Sequence, residues 1–284
     1  MLYAHEVTKW QEAVDRIICG DCREIVRLLP DKSVDVCVTS PPYWQQRDYD
    51  CDGQIGLEKE LLDYLSIMVD FFDEVKRVLK DDGTLWVNIG DCFNENTGGY
   101  FNNEKNDSPS IGKNRIKTEK YQKSLPRRSL LMIPYRFSIK MIDEKKWTCR
   151  NHIIWRKTIA QPTTAKNRFT IEHEPLFMFS KSRNYYFNKE AVRYVGGDVF
   201  NKGKERRSVW DLITETSPKH PAPYPIELAS LPIEACSRIN GIILDPFMGS
   251  GTTALAAKRL GFRFFGGDKN ETTCSLAEER LKDG

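Results

Sequence analysis

The segment Ile242-Ile243-Leu244-Asp245-Pro246-Phe247-Met248-Gly249-Ser250-Gly251-Thr252 constrains the fold of this 284-residue chain more than any other. Its apolar start reads as a buried strand that ends in an acid. A tight turn with Gly249 and Gly251 follows, and a helix opens near Thr252-Thr253. Strand, glycine turn and helix begin a crossover unit, which calls for a parallel sheet with helices on both faces. Small residues in the turn let backbone approach a ligand, and in open parallel sheets the ligand crevice lies at the carboxyl ends of the strands. The next apolar run, 262–266, continues through Gly267 to Asp268 at the same edge, where a carboxylate can hydrogen-bond a ribose diol. The glycine pattern is not G-x-G-x-x-G and lacks a P-loop lysine, which argues against nicotinamide dinucleotides and nucleoside triphosphates.

The rest of the chain alternates in the same way. Val34 to Thr39 reads as a strand, and Leu61, Leu65, Met68, Phe72, Val75 and Leu79 follow helical spacing until Asp81-Asp82-Gly83 stops them. Strands are predicted over 84–89, 153–155 and 176–179, with 185–192 as a further extension of the sheet. Helices are predicted over 129–143 and 226–240, and His220-Pro221-Ala222-Pro223-Tyr224-Pro225 forces an extended segment before the second. The stretch 94–125 is rich in Asn, Gly, Lys and Ser without periodicity, so it is expected to be a long, mobile, functional loop. A hydrophobic content of 40% over this length fits one large α/β core with an insertion.

A net charge of +3 does not announce a nucleic-acid binder, so any contact with nucleic acid must come from local clusters. Lys113, Arg115, Lys117, Lys120, Lys123, Arg127 and Arg128 form one, and Lys202, Lys204, Arg206 and Arg207 a second. A solvated loop is the plainer explanation of such runs. Of the eight cysteines, only Cys19 and Cys22 have C-x-x-C spacing, with no second pair or nearby His to complete a zinc site. Reduced thiols and a cytoplasmic location are expected, since neither a signal peptide nor a membrane-spanning run is visible. No metal is implied.

Near the start, Thr39-Ser40-Pro41-Pro42-Tyr43-Trp44 follows the predicted strand Val34 to Thr39. The two prolines remove donors and stiffen the turn, and Tyr43 offers a face on which a base can stack. This string and the Asp245–Thr252 turn together resemble the beta-class, permuted DNA amino-methyltransferases of the N4-cytosine/N6-adenine family. Catalytic loop before cofactor loop is the order of that class. The resemblance implies a Rossmann-like, mainly parallel seven-stranded sheet with helices on both faces, in a single catalytic domain over 1–284. It also implies S-adenosyl-L-methionine as cofactor, held by Asp21, Asp245, Pro246, Phe247, Gly249, Ser250, Gly251, Thr252 and Asp268, with His220 and Pro221 closing over it. The catalytic set that the resemblance implies is Ser40, Pro41, Pro42 and Tyr43. A nucleobase amino group has its lone pair delocalised into the ring, so acceptors must draw on its N–H bonds before it attacks a sulfonium methyl; the resemblance gives that task to Ser40 and the Pro41 carbonyl. Such catalysis is positioning and electrostatics, on a base flipped out of the duplex.

The chain has no Pro-Cys dipeptide, which carbon-5 chemistry on cytosine uses. Ser at the first catalytic position, with Trp44 after the tyrosine, resembles N4-cytosine enzymes, and N6-adenine is the alternative. Asn88-Ile89-Gly90-Asp91 resembles a later family motif, in which Asp91 is expected to line the pocket. Trp155-Arg156-Lys157 and His173-Glu174-Pro175 match later strands and are read as packed sheet edge. Duplex DNA is the expected partner, through Trp44, Lys113, Arg115, Arg127, Arg128, Lys202, Lys204, Arg206 and Arg207. Target recognition is expected within 189–218. A cognate restriction endonuclease is a further expected partner, and the oligomeric state and recognised sequence stay open. A non-catalytic binding module would show a damaged catalytic loop, whereas both strings here are intact; an RNA or protein substrate stays open.

Overall fold

The computed structural model describes residues 1–95, 122–159, 165–194, 203–213 and 224–283. In chain order the elements are β1 (Leu2–Tyr3), β2 (Ile17–Cys19), α1 (Cys22–Arg27), β3 (Val34–Thr39), α2 (Leu61–Val78), β4 (Leu79–Asn88) and α3 (Ile133–Asp143). They continue with β5 (Thr148–Lys157), β6 (His173–Ser180), β7 (Val209–Leu212), α4 (Ile226–Cys236), β8 (Ile242–Asp245), α5 (Thr252–Arg259), β9 (Arg263–Asp268) and α6 (Glu271–Asp283). The strands make one sheet in the order β1-β2-β9-β8-β3-β4-β6-β5-β7. Every neighbouring pair is parallel except those of β6, which runs against both β4 and β5.

Strand side chains alternate between two cores, as a sheet covered on both faces requires. Ile18, Cys37, Leu85, Val87, Phe177, Leu244 and Phe265 pack with α1, α2 and α3 on one face. Ile17, Val36, Val38, Trp86, Met178, Ile243 and Phe264 pack with α4, α5 and α6 on the other. The α2 stripe of Tyr64, Leu65, Met68, Phe72 and Val75 is wholly buried while Leu62, off the stripe, is exposed. Burial of each such large side chain is worth roughly 1.5–3 kcal/mol.

The sheet has nine strands where seven were expected. The two additions, β1 and β7, are short strands at opposite edges, outside the seven that run from β2 to β5. Helix α2 ends at Val78, before Asp81-Asp82-Gly83; residues 80–83 are instead a bulge in β4, where pairing jumps from Val34 with Leu79 to Val36 with Thr84. Helix α3 starts at Ile133, four residues later than predicted, because Leu130 is bridged to Phe93 and Met132 is left-handed at φ 56°. Residues 185–192 do not join the sheet. The Tyr186 amide donates to Asp82 O and the Asn188 amide to Ala235 O, which lays this segment against the bulge and α4. Helix α4 stops at Cys236, short of Asn240, which is itself left-handed at φ 63°.

Most of the 94–125 loop, including Lys113, Arg115, Lys117 and Lys120, lies outside the described residues, as do Lys202, His220 and Pro221. The ends of that loop are tied together. Asn94 Nδ2 donates to the carbonyls of Gln122, Leu125 and Pro126, and the Gln122 amide returns a bond to Asn94 Oδ1. No helix among the described residues is long and apolar enough to cross a membrane.

Candidate active site

Strand order reverses between β3 and β8: the chain winds one way from β3 to β4 and the other way from β8 to β9. Open α/β sheets bind ligands at such a switch point, outside the carboxyl ends of the strands. Here those ends are Thr39 and Asp245, and Thr39 Oγ1 donates to Asp245 Oδ1 at 2.6 Å. A cavity of about 390 Å³ opens above this bond, lined by Ser40, Pro41, Pro42 and Tyr43 on one side and Pro246, Phe247, Gly249, Ser250 and Thr252 on the other. Its size falls within the ~300–1,000 Å³ usual for small-molecule sites.

On the β8–β9 side the glycine turn is fastened at several points. Gly249 and Gly251 have φ of 53° and 80°, left-handed values that side chains resist. The Gly249 amide donates to Asp268 Oδ2 at 3.1 Å, and Arg280 of α6 donates to Thr252 Oγ1 at 2.8 Å. Asp268 lines the cavity, and burial pushes its carboxyl up despite amide bonds from Asn270 and Gly249. Asp21 also lines it, as the N-cap of α1. Burial alone would raise the Asp21 carboxyl, but Arg23 and Lys269 hold it well below the usual carboxylate range.

Asp245 and Gly251, expected at the cofactor, do not line the cavity. Asp245 is fully buried and accepts from Thr39, Thr253, Tyr224 and the Phe247 amide, so it shapes both turns from below. Gly251 is the N-cap of α5, and a Cβ there would meet Ala277 of α6 at 3.1 Å.

On the β3–β4 side the Tyr43 ring lies over Gly90, where a Cβ would come within 2.4 Å of the ring. Its hydroxyl is 2.7 Å from Glu174 Oε2 and 2.9 Å from Asn88 Oδ1. Burial, then the Glu174 charge, pushes the phenol well above its ordinary range, so it stays protonated. Ser40 Oγ lies 3.4 Å from both Asn88 Oδ1 and the Tyr43 hydroxyl. Glu174 also pairs with Lys157, whose ammonium sits 5.0 Å from the centroid of the Trp155 ring.

Lys157, Glu174, Asn88, Trp155 and Tyr224 therefore line the cavity. The first two and Trp155 lie in sequence matches read as packed edge. Alternation along β5 does carry a signal, since Trp155 and Lys157 are two apart and share a face. Asp91, expected in the pocket, turns away: its Oδ1 accepts the Cys92 and Ile133 amides and so caps α3. Trp44, expected at DNA, is 1% exposed and donates its indole N–H to Glu58 O at 2.9 Å. An indole buried in the α2 core has no face to offer a duplex. Arg127, Arg128, Lys204 and Arg207 are exposed, whereas Arg206 is stacked 4.4 Å from the Tyr194 ring centroid. Segment 189–218 contains β7, whose Trp210 stacks on Trp86. Among the described residues no His/Cys/Asp/Glu cluster has the makings of a metal site.

A permuted, doubly wound sheet with a glycine turn and a Ser-Pro-Pro-Tyr turn facing one cavity is the architecture of an α/β transferase that holds a small cofactor beside a second substrate. The chain belongs to the DNA methylase family, whose model matches residues 34–279. Type II methyltransferase M.SmaI of Serratia marcescens is 40% identical over 271 residues, covering 94% of this chain and 90% of that protein. Type II methyltransferase M.Cfr9I of Citrobacter freundii is 38% identical, covering 93% and 86%. Among solved structures, the cytosine-N4-specific PvuII DNA methyltransferase shares the fold with a TM-score of 0.69 at 20% identity, over 94% of this chain and 89% of that one. A putative DNA modification methylase from Thermus thermophilus, crystallised with S-adenosyl-L-methionine, matches with a TM-score of 0.64 at 25% identity, over 94% and 93%.

Proposed function

We propose that this protein transfers a methyl group from S-adenosyl-L-methionine to the exocyclic N4 amino group of a cytosine flipped out of duplex DNA. The observation that carries this reading is the shared cavity: the glycine turn of β8–α5 and the Ser40–Tyr43 turn of β3 face each other across the switch point. The residues present fit the cofactor. Gly249 and Ser250 leave room for close backbone approach, Phe247 gives an apolar wall, and Asp21 and Asp268 offer carboxylate acceptors for hydroxyl or amino groups. When bound, S-adenosylmethionine supplies an electrophilic methyl on a sulfonium centre.

The chain's own part is to position and polarise the amine. The Ser40 hydroxyl can donate to Asn88 Oδ1 or to the Tyr43 oxygen, each 3.4 Å away, which leaves its lone pairs for an amino N–H. Tyr43, pinned by Asn88, Glu174 and Gly90, offers a fixed aromatic face for stacking. The amino proton becomes acidic once the nitrogen carries the methyl, so no base of tuned pKa is required. Ser40 favours cytosine over adenine as the target, and N6-adenine has no better support.

Type II relatives make a cognate endonuclease a reasonable partner, and eight free cysteines suit a reducing cytoplasm. The test is a pair of variants. Ser40→Ala lowers the rate of methyl transfer to DNA by roughly 10²-fold while cofactor affinity, read by calorimetry, is nearly unchanged; Asp268→Ala mainly weakens cofactor binding. Equal loss of cofactor affinity in both would overturn this division of roles.

A further inference from the structure

The loop joining β5 to β6 springs from the cavity rim, because Lys157 at the end of β5 and Glu174 at the start of β6 both line the cavity. Among its described residues it carries three exposed apolar side chains: Ile159 at 74%, Phe169 at 96% and Ile171 at 45%. Single exposed apolar residues are ordinary, but three on one loop beside a catalytic cavity mark a contact surface. Lys166 and Arg168 lie on the same segment. The Arg168 guanidinium sits 4.0 Å from the centroid of the Phe93 ring, which fixes this part of the loop over the segment that follows β4. Phe93 in turn bridges to Leu130, beside the exposed Arg127 and Arg128, and Lys166 is exposed on the loop itself. Glu172 is the lone acid of residues 165–172.

An exposed aromatic ring on a loop that also carries an exposed Lys166 and an Arg168 held on Phe93 suits duplex DNA, with phosphates outside and stacked bases inside. We propose that Phe169 enters the base stack beside the target nucleotide as that nucleotide is extruded into the cavity, with Arg168 and Arg127 on flanking phosphates. Extrusion leaves a gap whose lost stacking an inserted aromatic ring partly restores. This inference rests on the DNA reading above.

The test uses two duplex oligonucleotides carrying the site that the wild-type protein methylates in plasmid DNA. In one the target base is normally paired; in the other it faces an abasic position, so that little pairing opposes its extrusion. Phe169→Ala slows methylation of the paired duplex roughly tenfold or more but that of the abasic duplex less than about twofold, and Phe169→Trp retains activity on both. Equal loss on the two duplexes, or no loss on either, would overturn the role of Phe169 alone. A wild-type protein that methylates neither plasmid DNA nor oligonucleotides would overturn the DNA reading and this inference with it.

Discussion

Asp245 holds the site together from underneath. Its carboxylate joins Thr39 of the catalytic strand to Thr253, Tyr224 and the Phe247 amide, so the two turns share one buried acceptor. Burial pushes that carboxyl from 3.8 to about 6 in spite of these donors. Between those values the folded protein keeps a proton that the unfolded chain releases. The resulting stabilisation is fully present below pH 3.8 and lost as pH rises through 6, about 3 kcal/mol in all for this group. Asp245→Asn cannot titrate, so the stability difference between wild type and variant, from urea unfolding, shifts against wild type by about 2 kcal/mol between pH 4.5 and 7.5. Parallel curves for the two proteins would contradict this. The resemblance of the 245–252 motif put Asp245 at the cofactor, whereas its four buried bonds put it beneath both turns. Trp44 went wrong for a related reason: an aromatic next to Tyr43 is visible in sequence, whereas the direction of its indole is set by Glu58 and the α2 core.

At the scale of elements, legibility followed burial and length. The strands β3, β4, β8 and β9 show as apolar runs because a doubly covered parallel strand is apolar on both faces. Strands β1, β2 and β7 have two to four residues each and give no periodic signal of their own. Residues 185–192 mislead because Tyr-Tyr-Phe has the composition of a strand, while tertiary bonds to Asp82 and Ala235 decide its path. One element-level clamp was invisible in sequence. Asp35, 3% exposed at its side chain, accepts from Lys80 Nζ at 2.7 Å and from the Ile242 amide at 3.0 Å, joining β3, the β4 bulge and β8. Asp35→Ala leaves that amide without its acceptor and destabilises the protein by about 2 kcal/mol in chemical denaturation; Asp35→Asn, which keeps an oxygen, costs about half as much. Lys80 is 40% exposed and can rehydrate, which keeps the figure below that of a fully buried pair. A loss under about 0.5 kcal/mol for Asp35→Ala would show that the clamp is idle.

For the whole molecule, the order of the halves was readable because each half has its own turn chemistry, Ser-Pro-Pro-Tyr after β3 and Asp-Pro-Phe-Met-Gly-Ser-Gly after β8. The pairing of Lys157 with Glu174 was not, since it arises only when β6 turns back between β4 and β5. A net charge of +3 says little about DNA, since it averages over clusters such as the exposed Lys166, Arg127 and Arg128. The activity expected of the cavity is methylation of a cytosine amino group. Mass spectrometry of nucleosides from duplex DNA incubated with the protein and isotope-labelled S-adenosylmethionine reads that activity base by base. Label in N4-methylcytosine is the predicted result; label in N6-methyladenine, or no label in any nucleoside, would contradict it.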